Sequence, residues 1–109
     1  MRKAKPVAVV CTYRVKRGKE PAFRKLLRKH WLVLNRLGVV AKKPRLVLRA
    51  MTPERKGDLL EIFAWKPRGF EIAHKSPAVL AIWEPMEQLC EPRNGHPATE
   101  FPHFEIITP

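Results

Sequence analysis

The sequence predicts an α+β domain in which a four-stranded antiparallel sheet carries two helices on one of its faces. Segments rich in β-branched and aromatic residues alternate with helix-like segments in the order β-α-β-β-α-β. The chain has 109 residues, which is enough for one domain with its own hydrophobic core. Its 45% hydrophobic and 29% charged residues are typical of globular rather than disordered proteins. We therefore interpret residues 1–109 as a single domain.

The first half of the chain predicts one strand and one long helix. Residues 7–15 are rich in valine and are followed by Gly18, which signals a turn. Pro21 suits the first turn of a helix, and Gly38 is the glycine expected in a left-handed cap after its end. Between them the apolar residues recur at close to the helical period, so that one helix face is predicted to be buried: Phe23, Leu26, Leu27, Trp31, Leu34 and Leu37.

The middle of the chain predicts a β-hairpin. Residues 45–51 and 58–65 have strand-like patterns, and residues 52–57 between them contain proline and glycine. The second of these strands ends in Trp65 and is interrupted by a single carboxylate, Glu61.

The last third predicts a second helix and an edge strand. After a helical turn over residues 70–74, Ser76 is a typical N-cap and begins the main helix. Pro85 is expected to kink or split this helix after Trp83. A final strand over 101–107 contains a proline, which restricts it to a sheet edge or a strand start. The complete order is that of the ferredoxin-like fold.

Two helices can cover only one face of such a sheet. Alternation along the strands places large apolar residues beside single polar ones on the strand faces. Because a large exposed apolar face usually marks an interface, we expect a homodimer that pairs through the sheet faces. The paired sheets would enclose a cavity, which would explain isolated polar residues among the hydrophobic ones: Arg14, Glu61, His103 and Glu105.

Several of these features occur together in one known family. They are a turn followed by Phe23 and a long helix ending at Leu37 and Gly38, a strand ending in Trp65, and an Ala73-His74 pair shortly before Pro77. The chain resembles the antibiotic-biosynthesis-monooxygenase-like proteins of the dimeric α+β barrel superfamily. This group includes cofactor-independent oxygenases acting on aromatic polyketides, haem-degrading oxygenases and many small proteins of unknown activity.

The resemblance to the haem-degrading branch is incomplete. Trp65 and His74 match its tryptophan and histidine, but that branch also has an amide side chain in the first strand. This chain has Cys11, Thr12 and Tyr13 there. We therefore expect no cofactor and keep haem binding as a lesser alternative.

The resemblance implies a small-molecule-binding protein, with cofactor-independent monooxygenation of an aromatic or other apolar substrate as the candidate activity. Its pocket is expected between the sheet and the second helix. We assign His74 and Glu61 as candidate catalytic residues, and as candidate ligand-binding residues Trp65, Phe63, Arg14, Trp83 and His103.

Structural roles remain open for each of these residues. His74 can be a helix-face residue, and the tryptophans can serve packing alone. Glu61 can form an ion pair with Arg14 or Arg49, because an unpaired buried carboxylate is costly. No metal site is expected, since the histidines and cysteines lack ligand spacing.

The charge distribution suggests a second function class, a nucleic-acid-binding or regulatory module. Residues 1–45 hold 15 Lys/Arg and one acid, whereas residues 46–109 hold seven Lys/Arg and nine acids. The predicted third strand lacks the glycine and the basic flank of the RNA-recognition signature. The acidic residues Glu84, Glu87 and Glu91 could instead pair with the basic first helix. Nucleic-acid binding is therefore the less favoured prediction.

The sequence also suggests a compartment. No apolar run reaches the roughly 18 residues of a membrane span. The start is basic but lacks a signal-peptide cleavage region, so we expect a cytoplasmic protein. Cys11 and Cys90 are expected to be reduced thiols.

Overall fold

The computed structural model describes residues 7–107 and confirms the predicted α+β architecture. Three long strands, two main helices and a short helical segment are followed by two short strands at the end. The elements are β1 (Val7–Arg14), α1 (Glu20–Leu37), β2 (Val40–Arg49), β3 (Asp58–Trp65), α2 (Gly69–His74), α3 (Pro77–Gln88), β4 (Thr99–Glu100) and β5 (His103–Glu105). All strand pairs are antiparallel, in the order β2-β3-β1-β4, and β5 also pairs with β1.

Both main helices begin where the sequence predicts, and α1 also ends there. Gly38 adopts φ 75° after α1, and its N–H donates to carbonyls of the last turn. The side chain of Ser76 accepts a hydrogen bond from the N–H of Val79 and caps α3. The buried side of α1 includes Phe23 and Leu34, which lie on the sheet. Within residues 7–107 no helix is long and apolar enough to cross a membrane.

Two predicted element boundaries were wrong. Strand β2 begins at Val40 rather than at residue 45, because Val40 already pairs with Trp65 of β3. The register shifts between Val40 and Arg45, so an irregularity in the strand accommodates Pro44 without ending the pairing. Helix α3 continues through Pro85 to Gln88 and is not split. Pro85 lies near the end of the helix, where its carbonyl still accepts a hydrogen bond from Leu89 N–H.

The last predicted strand is present but interrupted. Strands β4 and β5 both pair with β1 at the sheet edge, and Phe101 and Pro102 lie between them. The carbonyl of Pro102 accepts a hydrogen bond from the N–H of Val10 at 3.1 Å, so the chain stays beside β1 at the break. The edge position predicted from Pro102 is confirmed.

The two faces of the sheet have different environments. The face under the helices carries the side chains that complete the core with α1 and α3: Val9, Cys11, Tyr13, Leu59, Phe63 and Trp65. The opposite face is uncovered in the monomer and is largely aliphatic. Its members, which we call the open face, are Val10, Leu46, Leu48, Leu60, Ile62 and Phe104. Leu46, Leu48 and Phe104 are 43–50% exposed.

Gly69, the first residue of α2, lies very close to the backbone of Val39. A Cβ atom there would lie 2.2 Å from the carbonyl oxygen of Val39. That carbonyl cannot move freely, because it accepts a hydrogen bond from Lys66 N–H at 2.9 Å.

We expect Gly69→Ala to lower the free energy of unfolding by about 3 kcal/mol, the upper end of typical overpacking costs. Urea unfolding would measure the change. Gly18→Ala is the matched control, because a Cβ there meets nothing within 4 Å and only its φ of 79° is unfavourable. Its cost should stay near 1 kcal/mol. Equal losses in the two variants would contradict the close-approach argument.

Candidate functional site

A cavity of about 440 Å³ lies between the helix-covered face of the sheet and the helices. Aromatic rings form most of its wall, with a few polar groups among them. The lining residues are Val9, Cys11, Tyr13, His30, Phe63, Trp65, Phe70, His74, Trp83, Glu87, Phe101 and His103. A concave, mainly apolar site with few polar groups is the usual form of a small-molecule pocket.

The aromatic wall is continuous from the sheet to α2. The ring of Trp65 packs edge-on against Phe63, with centroids 5.0 Å apart, and against Phe70 at 5.8 Å. Trp65 lies in the wall because it ends β3 on the helix-covered face. Its indole Nε1 is buried and has no hydrogen-bond partner among the described residues.

Two histidines lie at the rim of the cavity, and both contact the ring of Phe70. The ring centroid of His74 is 4.5 Å from that of Phe70, and His103 is 5.1 Å from it. His74 is the last residue of α2, whereas His103 is the first residue of β5. Both side chains are exposed, so they can exchange protons with solvent. The structure thus brings His74 and His103 to one place from distant points of the sequence.

Trp83 completes the wall on the side of α3. Its ring lies 5.1 Å from that of His74, edge to face, and its Nε1 donates a hydrogen bond to His30 Nε2 at 2.9 Å. Of the residues predicted to bind a ligand, Trp65, Phe63, Trp83 and His103 therefore line the same cavity. Their roles in binding stay predictions.

Glu61, predicted as a catalytic acid, lies behind the cavity wall and does not line it. Its side chain is 0% exposed. Tyr13 donates a hydrogen bond to Oε1 at 2.8 Å, and a guanidinium nitrogen of Arg45 lies 3.2 Å from Oε2. His30 Nδ1 lies 3.4 Å from both carboxylate oxygens. These partners satisfy the carboxylate, so the structural ion pair is the alternative that the geometry supports.

Neither basic partner suggested for Glu61 reaches it. Arg49 pairs with Glu20 instead, through a hydrogen bond of 3.0 Å from Nε. Arg14, also predicted to bind a ligand, faces the opposite side of the sheet. There it pairs with Glu100 at 2.6 Å and lies 3.9 Å from Asp58. Residue parity explains the error over Arg14, because Arg45 is on the same sheet face as Glu61 and Arg14 is not. Arg49 also lies on that face, but its side chain is paired with Glu20.

Burial keeps two polar side chains of this wall, Tyr13 and Cys11, protonated. It raises the pKa of Tyr13 well above its usual value, and the negative charge of Glu61 raises it further. Tyr13 can therefore serve as a hydrogen-bond donor to Glu61. Burial and then Glu61 also raise the pKa of the Cys11 thiol. Burial raises the pKa of Cys90 to about 12. Neither thiol is placed to act as a thiolate nucleophile.

The residues that line the cavity differ from the haem-degrading branch in the same respect as the sequence does. Trp65 and His74 are both present, but none of the lining residues has an amide side chain. Among residues 7–107 no three His, Cys, Asp or Glu side chains are grouped so as to hold a metal ion.

The predicted pairing of acidic and basic helix stripes is wrong. Glu91 pairs with Arg93, at 3.4 Å, and in the described chain no ion pair joins Glu84 or Glu87 to α1. The basic side chains of α1 remain exposed: Arg24, Lys25, Arg28, Lys29 and Arg36.

The sequence reasoning missed several residues of the site. One of them is His30, which is buried and bonded to two other side chains, Glu61 and Trp83. Tyr13 and Cys11 lie on the wall because they pair directly with Leu59 and Glu61. The pairing of β1 with β3 would have revealed them, whereas Phe101 and Phe70 carry no comparable signal.

Replacing Glu61 by glutamine tests the buried network. We expect Glu61→Gln to lower the free energy of unfolding by about 3 kcal/mol, because the charge of Arg45 loses its partner in a largely buried site. Urea unfolding would measure the loss. The matched control is Glu71→Gln, whose exposed pair with Arg68 should contribute less than about 1 kcal/mol. A loss at Glu61 no greater than at Glu71 would show that the network is unimportant for stability.

Comparisons with known proteins identify the fold. No protein-family model matches the sequence, and no curated protein matches it. Among solved structures, SnoaB, a cofactor-independent oxygenase from Streptomyces nogalater, superimposes with a TM-score of 0.74 at 17% identity, over 97% of each chain. A candidate antibiotic biosynthesis monooxygenase from Chloroflexus aurantiacus gives a TM-score of 0.67 at 13% identity, over 96% of each chain.

A further candidate of that description, from Nitrosomonas europaea, gives a TM-score of 0.67 at 14% identity, covering 94% of this chain and 99% of the other. Identities this low concern the fold and not the reaction. They agree with the resemblance predicted from Trp65, His74 and the order of elements. The chain therefore has the fold of the antibiotic-biosynthesis-monooxygenase-like proteins.

Proposed function

We propose that the protein binds an apolar aromatic molecule in this cavity and oxidises it with O₂ as a cofactor-independent monooxygenase. The observation that carries the proposal is the aromatic wall with two histidines at its rim. Such a wall suits a flat, uncharged ring system, which can pack against Trp65 and Phe63. The similarity of fold to SnoaB, described as a cofactor-independent oxygenase, supports the same reaction class.

The chemistry requires a substrate that supplies its own electrons. An activated CH₂ group between aromatic rings loses a proton to a base, and the resulting carbanion adds to O₂ to form a hydroperoxide. Loss of the second C–H proton expels hydroxide and leaves a carbonyl group. The net reaction is R₂CH₂ + O₂ → R₂C=O + H₂O, in which the substrate is oxidised by four electrons and O₂ is reduced by four.

His74 is the residue that we propose as the base. It lies at the cavity rim between Phe70 and Trp83, and its exposure lets it release the proton to solvent. The unpartnered N–H of Trp65 would suit a carbonyl oxygen of a bound substrate. Glu61 has no part in this proposal beyond the support it gives to His30, because it does not reach the cavity.

The nucleic-acid alternative has one observation in its favour, the exposed basic side chains of α1. The sheet argues against it, because RNA-recognition sheets expose aromatic rings on their central strands. On the open face the central strands carry Val10, Leu60 and Ile62 instead. We therefore keep the small-molecule proposal.

We also propose that two copies pair through their open faces. This surface is aliphatic, and its charged side chains are paired with one another at one end, as in the pair of Arg14 and Glu100. Burying Leu46, Leu48 and Phe104 would remove about half of each side chain from water, which is favourable by about 25 cal/mol per Å² of apolar surface.

The oxygenase proposal predicts turnover of 1,8-dihydroxyanthrone, whose central CH₂ is activated in the required way. The purified protein, treated with a metal chelator, should convert it to the anthraquinone with uptake of one O₂ per molecule. The rate should exceed that in buffer. His74→Ala should lower kcat by roughly 100-fold, the usual contribution of a general base.

His96→Ala is the matched control, because His96 is exposed and lines a different, polar depression of the surface. It should leave the rate unchanged. No acceleration over buffer, or equal effects of the two substitutions, would refute the proposed reaction or the role of His74 respectively.

The dimer proposal predicts that light scattering gives the mass of two chains at micromolar concentration. Leu48→Glu should produce monomers, because a carboxylate would be buried in the apolar contact. Leu32→Glu is the matched control, since Leu32 is 62% exposed on α1, away from the open face. A monomer at every concentration, or a dimer disrupted by Leu32→Glu alone, would refute pairing through the sheets.

A further inference from the structure

A chain of hydrogen bonds connects the deepest charge of the protein to the wall of the cavity. Glu61 on β3 contacts His30 on α1, and His30 contacts Trp83 on α3. Glu61 is 0% and His30 is 2% exposed, so water cannot replace these contacts easily. The three residues come from three different elements, and their polar atoms make consecutive contacts.

The donors and acceptors in this line fix the protonation of His30. Trp83 Nε1 can only donate, so His30 Nε2, 2.9 Å away, must offer its lone pair and cannot carry a proton. The ring proton must then be on Nδ1, which faces the carboxylate of Glu61 at 3.4 Å. A doubly protonated ring would place two N–H groups against each other at the Trp83 contact.

Glu61 can hold this form of the ring without a charge on His30, because another group supplies the positive charge. The guanidinium of Arg45 lies 3.2 Å from Oε2 of Glu61, and it is held in place over the ring of Trp31, 4.7 Å from the ring centroid. Tyr13 occupies the other carboxylate oxygen. The free lone pair of His30 is thus available to Trp83.

Trp83 donates a side-chain hydrogen bond to His30, which restrains the orientation of its ring. It is only half-buried and its ring forms part of the cavity wall, so a rotation about its side-chain bonds would expose it or block the cavity. The hydrogen bond that Trp83 donates to His30 selects one orientation of the indole ring. In that orientation the ring of Trp83 contacts His74, with centroids 5.1 Å apart.

We propose that His30 is a positioning residue, held by Glu61 in the form protonated on Nδ1, which fixes the Trp83 ring and through it shapes the ligand cavity beside His74. The effect on ligands depends on the cavity function proposed above. His30 and Glu61 themselves need not touch a ligand. Their role is to set the orientation of the residues that do.

The protonation of His30 can be read by NMR on the full-length protein labelled with ¹⁵N. Long-range proton–nitrogen spectra distinguish a protonated from an unprotonated ring nitrogen, and the His30 signals are assigned by their loss in His30→Gln. We expect Nδ1 to be protonated and Nε2 to be bare, together with slow solvent exchange of the Trp83 indole proton.

Two substitutions separate positioning from packing. In His30→Gln the amide oxygen can accept from Trp83 while the amide N–H donates to Glu61, so slow indole exchange should persist. In His30→Phe the ring volume is kept but the acceptor is lost, and indole exchange should become fast. Binding of 1,8-dihydroxyanthraquinone, an oxygen-stable probe, should weaken about tenfold in His30→Phe and less than threefold in His30→Gln.

A double-mutant cycle tests whether His30 acts through Trp83. If it does, His30→Phe should have no further effect on probe affinity once Trp83→Phe is present, since the contact is already lost. The matched cycle combines His30→Phe with His103→Ala, at the rim, and its effects should add.

The proposal is overturned if Nε2 carries the proton, or if indole exchange is unchanged in His30→Phe. It is overturned equally if the effects of His30→Phe and Trp83→Phe on probe affinity add. The spectra need no ligand, so they test positioning independently of the proposed function. A failure of the proposed function would instead appear as absence of probe binding to the unmodified protein.

Discussion

The burial of the Glu61 carboxylate constrains how the elements of the domain pack together. Removing Glu61 from water costs several kcal/mol, and the cost is offset only if its partners stand in the right geometry. These partners come from β1 through Tyr13, from β2 through Arg45 and from α1 through His30. The network therefore forms only when three elements have assembled around β3. Helix α3 must also be in place, because its Trp83 donates a hydrogen bond to His30.

The network also determines which chemistry the cavity can offer. Because the hydroxyl of Tyr13, a wall residue, donates to Glu61 behind the wall, the wall presents mainly ring carbons to a ligand. The exposed polar groups are at the rim, where the rings of His74 and His103 both contact Phe70. This arrangement supports the oxygenase proposal, in which the substrate reacts with O₂ directly and needs help only in losing a proton.

The fold was predictable from the sequence because its signals are local. Gly38, Ser76 and the period of α1 mark helix ends and faces without knowledge of the rest of the chain. The site was predictable only in part. Trp65, His74 and Trp83 stand out as aromatic residues or as a histidine beside a helix, but the partner of Glu61 depends on the register between β2 and β3. The irregularity after Val40 alters that register, and no local pattern encodes it.

Dependence on tertiary packing also explains why the predicted pairing of the acidic residues with the basic helix α1 was wrong. Opposite charges on two helices suggest pairing, but contact depends on how the helices are rotated about their axes. Here α1 turns its apolar stripe and His30 inward and leaves its basic side chains in solvent, away from Glu84 and Glu87. Rotation follows from the packing of Phe23 and Leu34 on the sheet, which sequence charge alone does not reveal.

The exposed basic helix has a consequence for how molecules of this protein meet. Two copies that approach with their α1 helices facing would bring like charges within a Debye length, about 8 Å at physiological ionic strength, and would repel. At the open face the buried arginine Arg14 is already neutralised by Asp58 and Glu100. Repulsion between the α1 helices therefore disfavours contact through the helices, whereas no such repulsion opposes contact through the open face. The charge of α1 would in this way influence the orientation in which two copies meet.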